Sequence, residues 1–261
     1  MRVIIDVAMD YAVTQADPPV LVLTAAEVAG QSVRESRLDI ENAALRCAEG
    51  EGGIGKRVWA FLEGTQMSLR YRATVDVERR AAALNGLDAR PVHALPNDVV
   101  TFVRPSRYCP SDLLASFAER EFGHLKGGEK IAAMAHWIAG ALKYSPGSSG
   151  PATTAVDTFV SREGVCRDYA HLLCSLARAA FIPARYTSGY SAGVTPPDFH
   201  AVAEIWLDGA WHLVDPTGMS SPANFVVIGS GRDAGDVPFM ETEKPALLIR
   251  QSVDVAYAYP E

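Results

Sequence analysis

The chain has 261 residues, 48% of them hydrophobic and 21% charged, which supports one large folded domain or two ordinary ones and excludes an intrinsically disordered chain. A formal net charge of -7 and a pI near 5.4, with no dense run of Lys or Arg, exclude nucleic acid as the expected partner. No stretch approaches the roughly 20 apolar residues of a membrane-spanning helix, so no membrane partner is expected either.

The first segment, VIIDVAMDYAV (residues 3–13), is broken by Asp6 and Asp10. It lacks the uninterrupted core of a signal peptide and reads as a strand, which makes the cytoplasm the expected location. Strand-like runs follow at PPVLVLTAAEV (18–28), SVRESRLDI (32–40) and VWAFLEGTQMSLRYRATVDVE (58–78), separated by Pro, Gly, Asn and Asp. In the last run Leu69, Tyr71, Ala73, Val75 and Val77 alternate with Arg70, Arg72, Thr74 and Asp76, the period of a strand with one buried face. Short strands in succession predict a β-sandwich-like N-terminal domain over residues 1–104.

A Pro-rich turn, VRPSRYCPSD (103–112), marks the domain boundary, and Ser111 or Asp112 is placed to cap a helix through LLASFAEREF (113–122). A second helix is predicted from Glu129 to Leu142, where Ile131, Met134, Trp137, Ile138 and Leu142 recur at helical spacing; Trp137 reads as core. The next segment, SPGSSGPATTA (145–155), has loop composition and two open readings, a surface connection or the rim of an active site.

Cys47, Cys109, Cys166 and Cys174 show neither CxxC pairs nor the spacing of a zinc or disulfide framework, so reduced thiols are expected. After Gly164, the run Leu172, Leu173, Leu176, Ala177 and Ala180 predicts a helix ending near Ile182-Pro183, with Cys166 at or just before its first turn. On such a helix Cys174 lies about 12 Å from Cys166, beyond disulfide reach, and reads as a small buried hydrophobe. A helix N-terminus presents unpaired amides and a positive dipole end, which favour a thiolate and can donate to an oxyanion.

The segment FHAVAEIWLDGAWHLVDPTG (199–218) predicts a β-hairpin turning at Asp208-Gly209. A two-residue turn sets Leu207 against Ala210, Trp206 against Trp211, Glu204 against Leu213 and Val202 against Asp215. His200 then shares a face with Asp215 on its diagonal, where Cα atoms lie about 7–8 Å apart, within reach of a His–Asp hydrogen bond. His212 falls on the opposite face beside Ile205 and Val214 and reads as structural. A cysteine nucleophile needs a base, and the base needs a group that orients it; Cys166, His200 and Asp215 supply nucleophile, base and orienting group. The chemistry this predicts is attack on an amide or peptide carbonyl to give an acyl-enzyme thioester, resolved by water or by an amine.

GVCRDYAHLLCSLARAAFIPARYTSGY followed by FHAVAEIWLDGAWHLVDPTG resembles the bacterial branch of the transglutaminase-like superfamily over roughly residues 105–220. The resemblance implies an α+β fold: a papain/transglutaminase-like catalytic domain over residues 105–261 with a C-terminal β extension, preceded by the β-sandwich-like accessory domain. It also implies a catalytic triad of Cys166, His200 and Asp215, in a cysteine protease, amidase or transamidase. The position two after the histidine, often aromatic in relatives, is Val202, which is expected to reshape the acyl site.

Bland roles are expected nearby: Asp168 complements the helix dipole, Arg185 and Tyr190 serve core or rim, and Glu204, on the triad face, needs a partner if buried. No cofactor is expected. A metal needs three or four convergent ligands, and the order Cys, His, Asp suits a thiol triad instead; the tail VDVAYAYPE supplies no oxygen-rich calcium loop. The expected partner is a protein or peptide substrate, or a small amide. The rival expectation is a non-catalytic peptide-binding or scaffolding module, with SPGSSGPATTA or SAGVTPPD (191–198) blocking the cleft.

Overall fold

Period-two alternation organises the first third of the chain into β1 (Arg2–Ala12), β2 (Val20–Leu21), β3 (Gln31–Ile40), β4 (Ala43–Glu49), β5 (Lys56–Leu62) and β6 (Gln66–Val77). In this computed structural model, which describes residues 1–14, 18–81 and 83–258, β1 buries Val3, Ile5, Val7, Met9 and Tyr11. Strand β6 buries Leu69, Tyr71, Ala73, Val75 and Val77, while Arg70 and Arg72 point to solvent. The alternation read from residues 69–77 is therefore the one observed. The two strands pair antiparallel along their length, Ile5 opposite Ala73 and Met9 opposite Leu69, and their inner faces join Leu21, Leu23 and Val58 in one core. Fully burying a Val, Ile or Leu side chain contributes about 1.5–3 kcal/mol, so this interior carries much of the sandwich's stability.

The expected cap by Ser111 or Asp112 does not form: residues 111–114 make a 3₁₀ turn running straight into α1 (Ala115–Phe122), with no side-chain cap. Ser111 is buried there, its backbone N–H held by the Cys109 carbonyl at 2.9 Å, so local backbone pairing takes the place of the cap. Helix α2 (Gly127–Ala141) begins two residues before Glu129 and buries Ile131, Met134 and Ile138 on one face. Trp137 is partly buried at the margin of this core, against the rings of Phe117 and Phe159 at 4.9 and 5.9 Å. A two-residue strand, β7 (Lys143–Tyr144), precedes α3 (Ala155–Ser161), which is capped reciprocally by Thr154 and Asp157. Then β8 (Glu163–Gly164), parallel to β7, leads into α4 (Cys166–Ala179).

Strands β9 (Ala184–Ser191), β10 (His200–Leu207), β11 (Ala210–Val214) and β12 (Phe225–Gly231) form a third antiparallel sheet in the order β11-β10-β9-β12. Helix α4 lies across it, with Leu172, Leu173, Leu176 and Ala177 packed against Ala203, Ile205 and Leu207. Arg178, buried at the far end of α4, donates to the Ala184 carbonyl at 3.0 and 2.8 Å and to Ser106 Oγ at 3.1 Å, fixing the helix to both neighbours. Tyr190 ties the sheet to the sandwich, donating to the Leu23 carbonyl at 2.7 Å.

The C-terminal β extension lies on the N-terminal sandwich. Strand β13 (Met240–Glu241) joins the sheet β13-β2-β5-β4, and β14 (Leu247–Tyr257) is the outer strand of β14-β1-β6-β3, pairing Ile5 with Val255 and Val7 with Val253. The chain thus leaves the sandwich, builds the helices and third sheet, and returns. The α+β architecture with a sheet-rich N-terminal region is as expected.

Candidate active site

Cys166 is the first residue of α4 and is half-buried. The turn holding it is closed by Asp168, whose Oδ2 accepts the Val165 N–H at 2.8 Å and whose Oδ1 accepts Ser149 Oγ at 3.0 Å. Burial raises the Asp168 carboxyl above its usual range, although the Val165 and Ser149 bonds oppose the shift. A Cβ on Gly164 would come within 2.7 Å of the Asp168 Cβ, so only glycine lets the chain pass this close before the cysteine. Asp168 therefore does more than complement the helix dipole.

Strand β10 places His200 at the opposite wall. The hairpin has the register derived from its sequence, Leu207 with Ala210, Trp206 with Trp211 and Glu204 with Leu213. Both turn residues have positive φ, Asp208 at 48° and Gly209 at 82°, the geometry of a tight type I′ connection. The ladder ends at Ala203 opposite Val214, and Asp215 leaves it before the expected pairing with Val202. Freed from the strand, Asp215 meets the ring: His200 Nε2 lies 2.8 Å from Asp215 Oδ2. Opposite His200 is Gly189, where a Cβ would stand 2.4 Å from the Phe225 ring, so the glycine admits the aromatic group beneath the imidazole.

The carboxylate is itself fixed. Oδ1 accepts Thr217 N and Oγ1 at 2.8 and 2.6 Å, and Oδ2 accepts Ser220 N and Oγ at 2.8 and 2.7 Å. Burial works to raise the Asp215 carboxyl, but His200 and these donors outweigh it and hold it below the usual carboxylate range. For His200 burial works to lower the imidazole, yet the Asp215 carboxylate and the Cys166 thiol raise it to about 9. Among the described residues its Nδ1 is buried without a hydrogen-bond partner.

Sequence reasoning did not identify Tyr144. The parallel pairing of β7 with β8 sets Tyr144 beside Gly164 and brings its phenol against the backbone N–H and thiol of Cys166. Burial, then the charge of Cys166, push the phenol up to about 12, so it stays protonated and can donate. Its signal in the sequence is only one aromatic residue before a loop.

Cys166 and His200 open into a cleft of about 460 Å³ lined also by Tyr186, Asp198, Phe199 and Phe239. The 145–155 segment is a rim: Pro151 lines the cleft, and the Gly150 carbonyl accepts Arg167 Nη1 at 2.9 Å. Val202 does not line it. On the face of β10 that it shares with His200, Val202 packs deeper, against Ala26, Phe225 and Val227, while Ala201, on the face towards α4, lines the cleft, which corrects the expected effect on the acyl site. Glu204 is buried and partnered by Arg185 Nε at 2.7 Å, Thr187 Oγ1 at 2.8 Å and Ser230 Oγ at 3.1 Å. His212 has the structural place expected, opposite Ile205 and 3.2 Å from the Leu207 carbonyl. A second cavity of about 440 Å³ is lined by Arg79, Arg185, Glu204 and Trp211, and among the described residues no cysteine lines it. Among the described residues no group of three or more His, Cys, Asp or Glu is arranged to hold a metal, and no helix is long and apolar enough to cross a membrane.

The crystal structure of a candidate cysteine protease from Cytophaga hutchinsonii matches with a TM-score of 0.94 and 32% identity, covering 100% of this chain and 92% of that one. An uncharacterized protein of Mycobacterium leprae is 31% identical over 145 residues, 52% of each chain. A protein-glutamine gamma-glutamyltransferase of Pseudomonas aeruginosa is 39% identical over 87 residues, 28% of this chain and 13% of that one. The chain spans about half the length of the first curated relatives it matches. The model of the transglutaminase-like superfamily matches residues 116–216, which include Cys166, His200 and Asp215. With the whole-chain match to the Cytophaga structure, this shows that the chain belongs to the transglutaminase-like superfamily.

Proposed function

We propose that the protein is a cysteine-dependent enzyme acting on amide or peptide carbonyls, with Cys166 as nucleophile, His200 as base and acid, and Asp215 as the group that orients it. The observation carrying this reading is the asymmetry of the imidazole, with Nε2 bonded to Asp215 at 2.8 Å and Nδ1 buried, unpartnered and influenced by the Cys166 thiol. With its proton on Nε2, the ring takes the thiol proton at Nδ1, and the Asp215 carboxylate steadies the imidazolium that forms. The thiolate attacks the carbonyl carbon, and the oxyanion is received by the Cys166 N–H and the Tyr144 hydroxyl. Nδ1 returns the proton to the departing amine as the C–N bond breaks, leaving a thioester on Cys166. Water that gives its proton to Nδ1 hydrolyses the thioester; an amine in its place gives transamidation. The substrate is a protein, a peptide or a small amide, and the chemistry uses neither metal nor cofactor. Because it depends on a free thiol, the reading keeps the reducing cytoplasm as the place of action.

The chain carries its own control, the exposed Cys47. In limited iodoacetamide labelling followed by peptide mass spectrometry at pH 7, half-buried Cys166 is expected to react faster than Cys47, and His200→Ala to abolish the advantage. Cys166 reacting no faster than Cys47, unchanged in His200→Ala, would overturn the reading and leave a recognition module that keeps the fold.

A further inference from the structure

Asp198 stands on the cleft wall with Cys166 and His200, two residues before the histidine. Its Oδ1 accepts the Phe199 N–H at 2.8 Å and Gln251 Nε2 of β14 at 2.8 Å. Both donors are neutral. Some acidic side chains have cationic partners, Asp6 with Arg70, Asp10 with Arg250, Asp76 with Arg2 and Arg34, Glu204 with Arg185, whereas Asp157 and Asp233, like Asp198, have neutral donors but lie outside the cleft. Among the described residues none of Arg, Lys or His forms an ion pair with Asp198, and its Oδ2 accepts no hydrogen bond.

The charge acts on its surroundings, contributing to raising the phenols of Tyr144, beside Cys166, and of Tyr11, in the sandwich core. A carboxylate near a thiolate and a developing oxyanion disfavours both, so Asp198 does not serve the chemical steps described above. The chemistry that fits it is binding. Phe199 and Phe239 stack at 5.1 Å beside it, and Val237 and Ile228 continue the apolar wall. An apolar wall ending in an unpaired carboxylate matches an aliphatic stem with a cationic head. The arginine of the cleft lining, Arg167, is already engaged by the Gly150 carbonyl at 2.9 Å and by the Tyr108 ring at 4.6 Å, and His200 by Asp215.

We propose that Asp198 selects substrates bearing a lysine or arginine side chain on the chain that carries the reacting amide, next to that amide, with β14 supplying Gln251 to hold the carboxylate in place. The proposal rests on the amide-directed reading of the cleft. Its specificity is two-sided, because an acidic residue at the same position meets repulsion.

The test reads binding rather than turnover. Fluorescein-labelled peptides that differ only in Lys, Leu or Glu beside a glutamine carboxamide are titrated by anisotropy into Cys166→Ala. Lysine is expected to bind about tenfold tighter than leucine, and glutamate more weakly than leucine. Adding Asp198→Asn, which keeps an Oδ1 acceptor for Phe199 N and Gln251, erases the lysine advantage; Asp198→Lys makes glutamate the preferred residue. Equal affinities for the three peptides, an advantage that survives Asp198→Asn, or no measurable binding of any peptide overturns the proposal. Failure of the wild type to turn over any peptide, with lysine selectivity intact in Cys166→Ala, would overturn only the catalytic reading.

Discussion

Asp215→Asn is the sharpest perturbation of the site, because the carboxylate accepts five hydrogen bonds and an amide cannot. Thr217 N and Oγ1 donate to one oxygen, and Ser220 N, Ser220 Oγ and His200 Nε2 occupy the other. If the amide oxygen takes the Thr217 side, its NH₂ faces Ser220 N–H and His200. The ring then accepts at Nε2 and carries its proton on Nδ1, where it cannot receive the thiol proton. The imidazolium also loses its counter-charge. The fall of the imidazole from about 9 to the ordinary value near 6.5 is worth roughly 3 kcal/mol at about 1.4 kcal/mol per unit. At pH 7 that fall takes the imidazolium from nearly complete to about a quarter, and part of the elevation comes from Cys166, so the expected loss of imidazolium is about fourfold at most. In the labelling competition, the Cys166-to-Cys47 ratio at pH 7 should fall by that factor in Asp215→Asn, and amide turnover by on the order of 10³–10⁴, because the tautomer is wrong as well. Circular dichroism establishes that the variant is folded. A folded Asp215→Asn protein with the wild-type labelling ratio and wild-type turnover would refute the assignment of the base's support to Asp215.

Tyr144→Phe should lower kcat about a hundredfold through loss of one oxyanion donor, with KM and Tm little changed; a kcat within threefold of wild type would remove Tyr144 from the mechanism. The stability contribution of the pair has a defined pH window. His200 titrates near 9 in the folded protein against about 6.5 unfolded, so its contribution is complete below about pH 6.5 and disappears as pH rises through 9. Asp215 is held below its ordinary value of about 3.9, so its contribution is present above about pH 4 and is lost on further acidification. The Tm difference between wild type and His200→Gln should accordingly be largest between about pH 4 and 6.5 and shrink toward pH 9; a difference that widens above pH 7 would contradict the raised imidazole.

The parts legible in the sequence are those whose pairing is local. Asp208-Gly209 set the hairpin register, and counting from the turn places His200 near Asp215 without reference to the rest of the chain. Alternation along residues 69–77 and the apolar stripe of α4 were equally readable, because one buried face imposes its period on the sequence. The elements that escaped are joined over long separations. Nothing in LLIRQSVDVAY indicates that it pairs with residues 2–12; Tyr144 comes beside Gly164 through a two-residue parallel strand, and Asp198 reaches the cleft on a loop. Val202 was misplaced because its neighbourhood depends on which side of β10 the sandwich packs. The cap at residues 111–112 was lost to a backbone hydrogen bond that propensity does not register.

The return of the chain to the sandwich also separates two kinds of inheritance. Met240 and Gln251 line the cleft from strands far along the sequence from Cys166, on sheets that contain none of the reacting groups. Substitutions in residues 240–257 can therefore redraw the substrate range while the thiol, imidazole and carboxylate remain untouched, and an excised fragment holding only the superfamily core would lack one wall of its own cleft. Evolution, or a protein engineer, has a dial for selectivity here that is mounted apart from the motor.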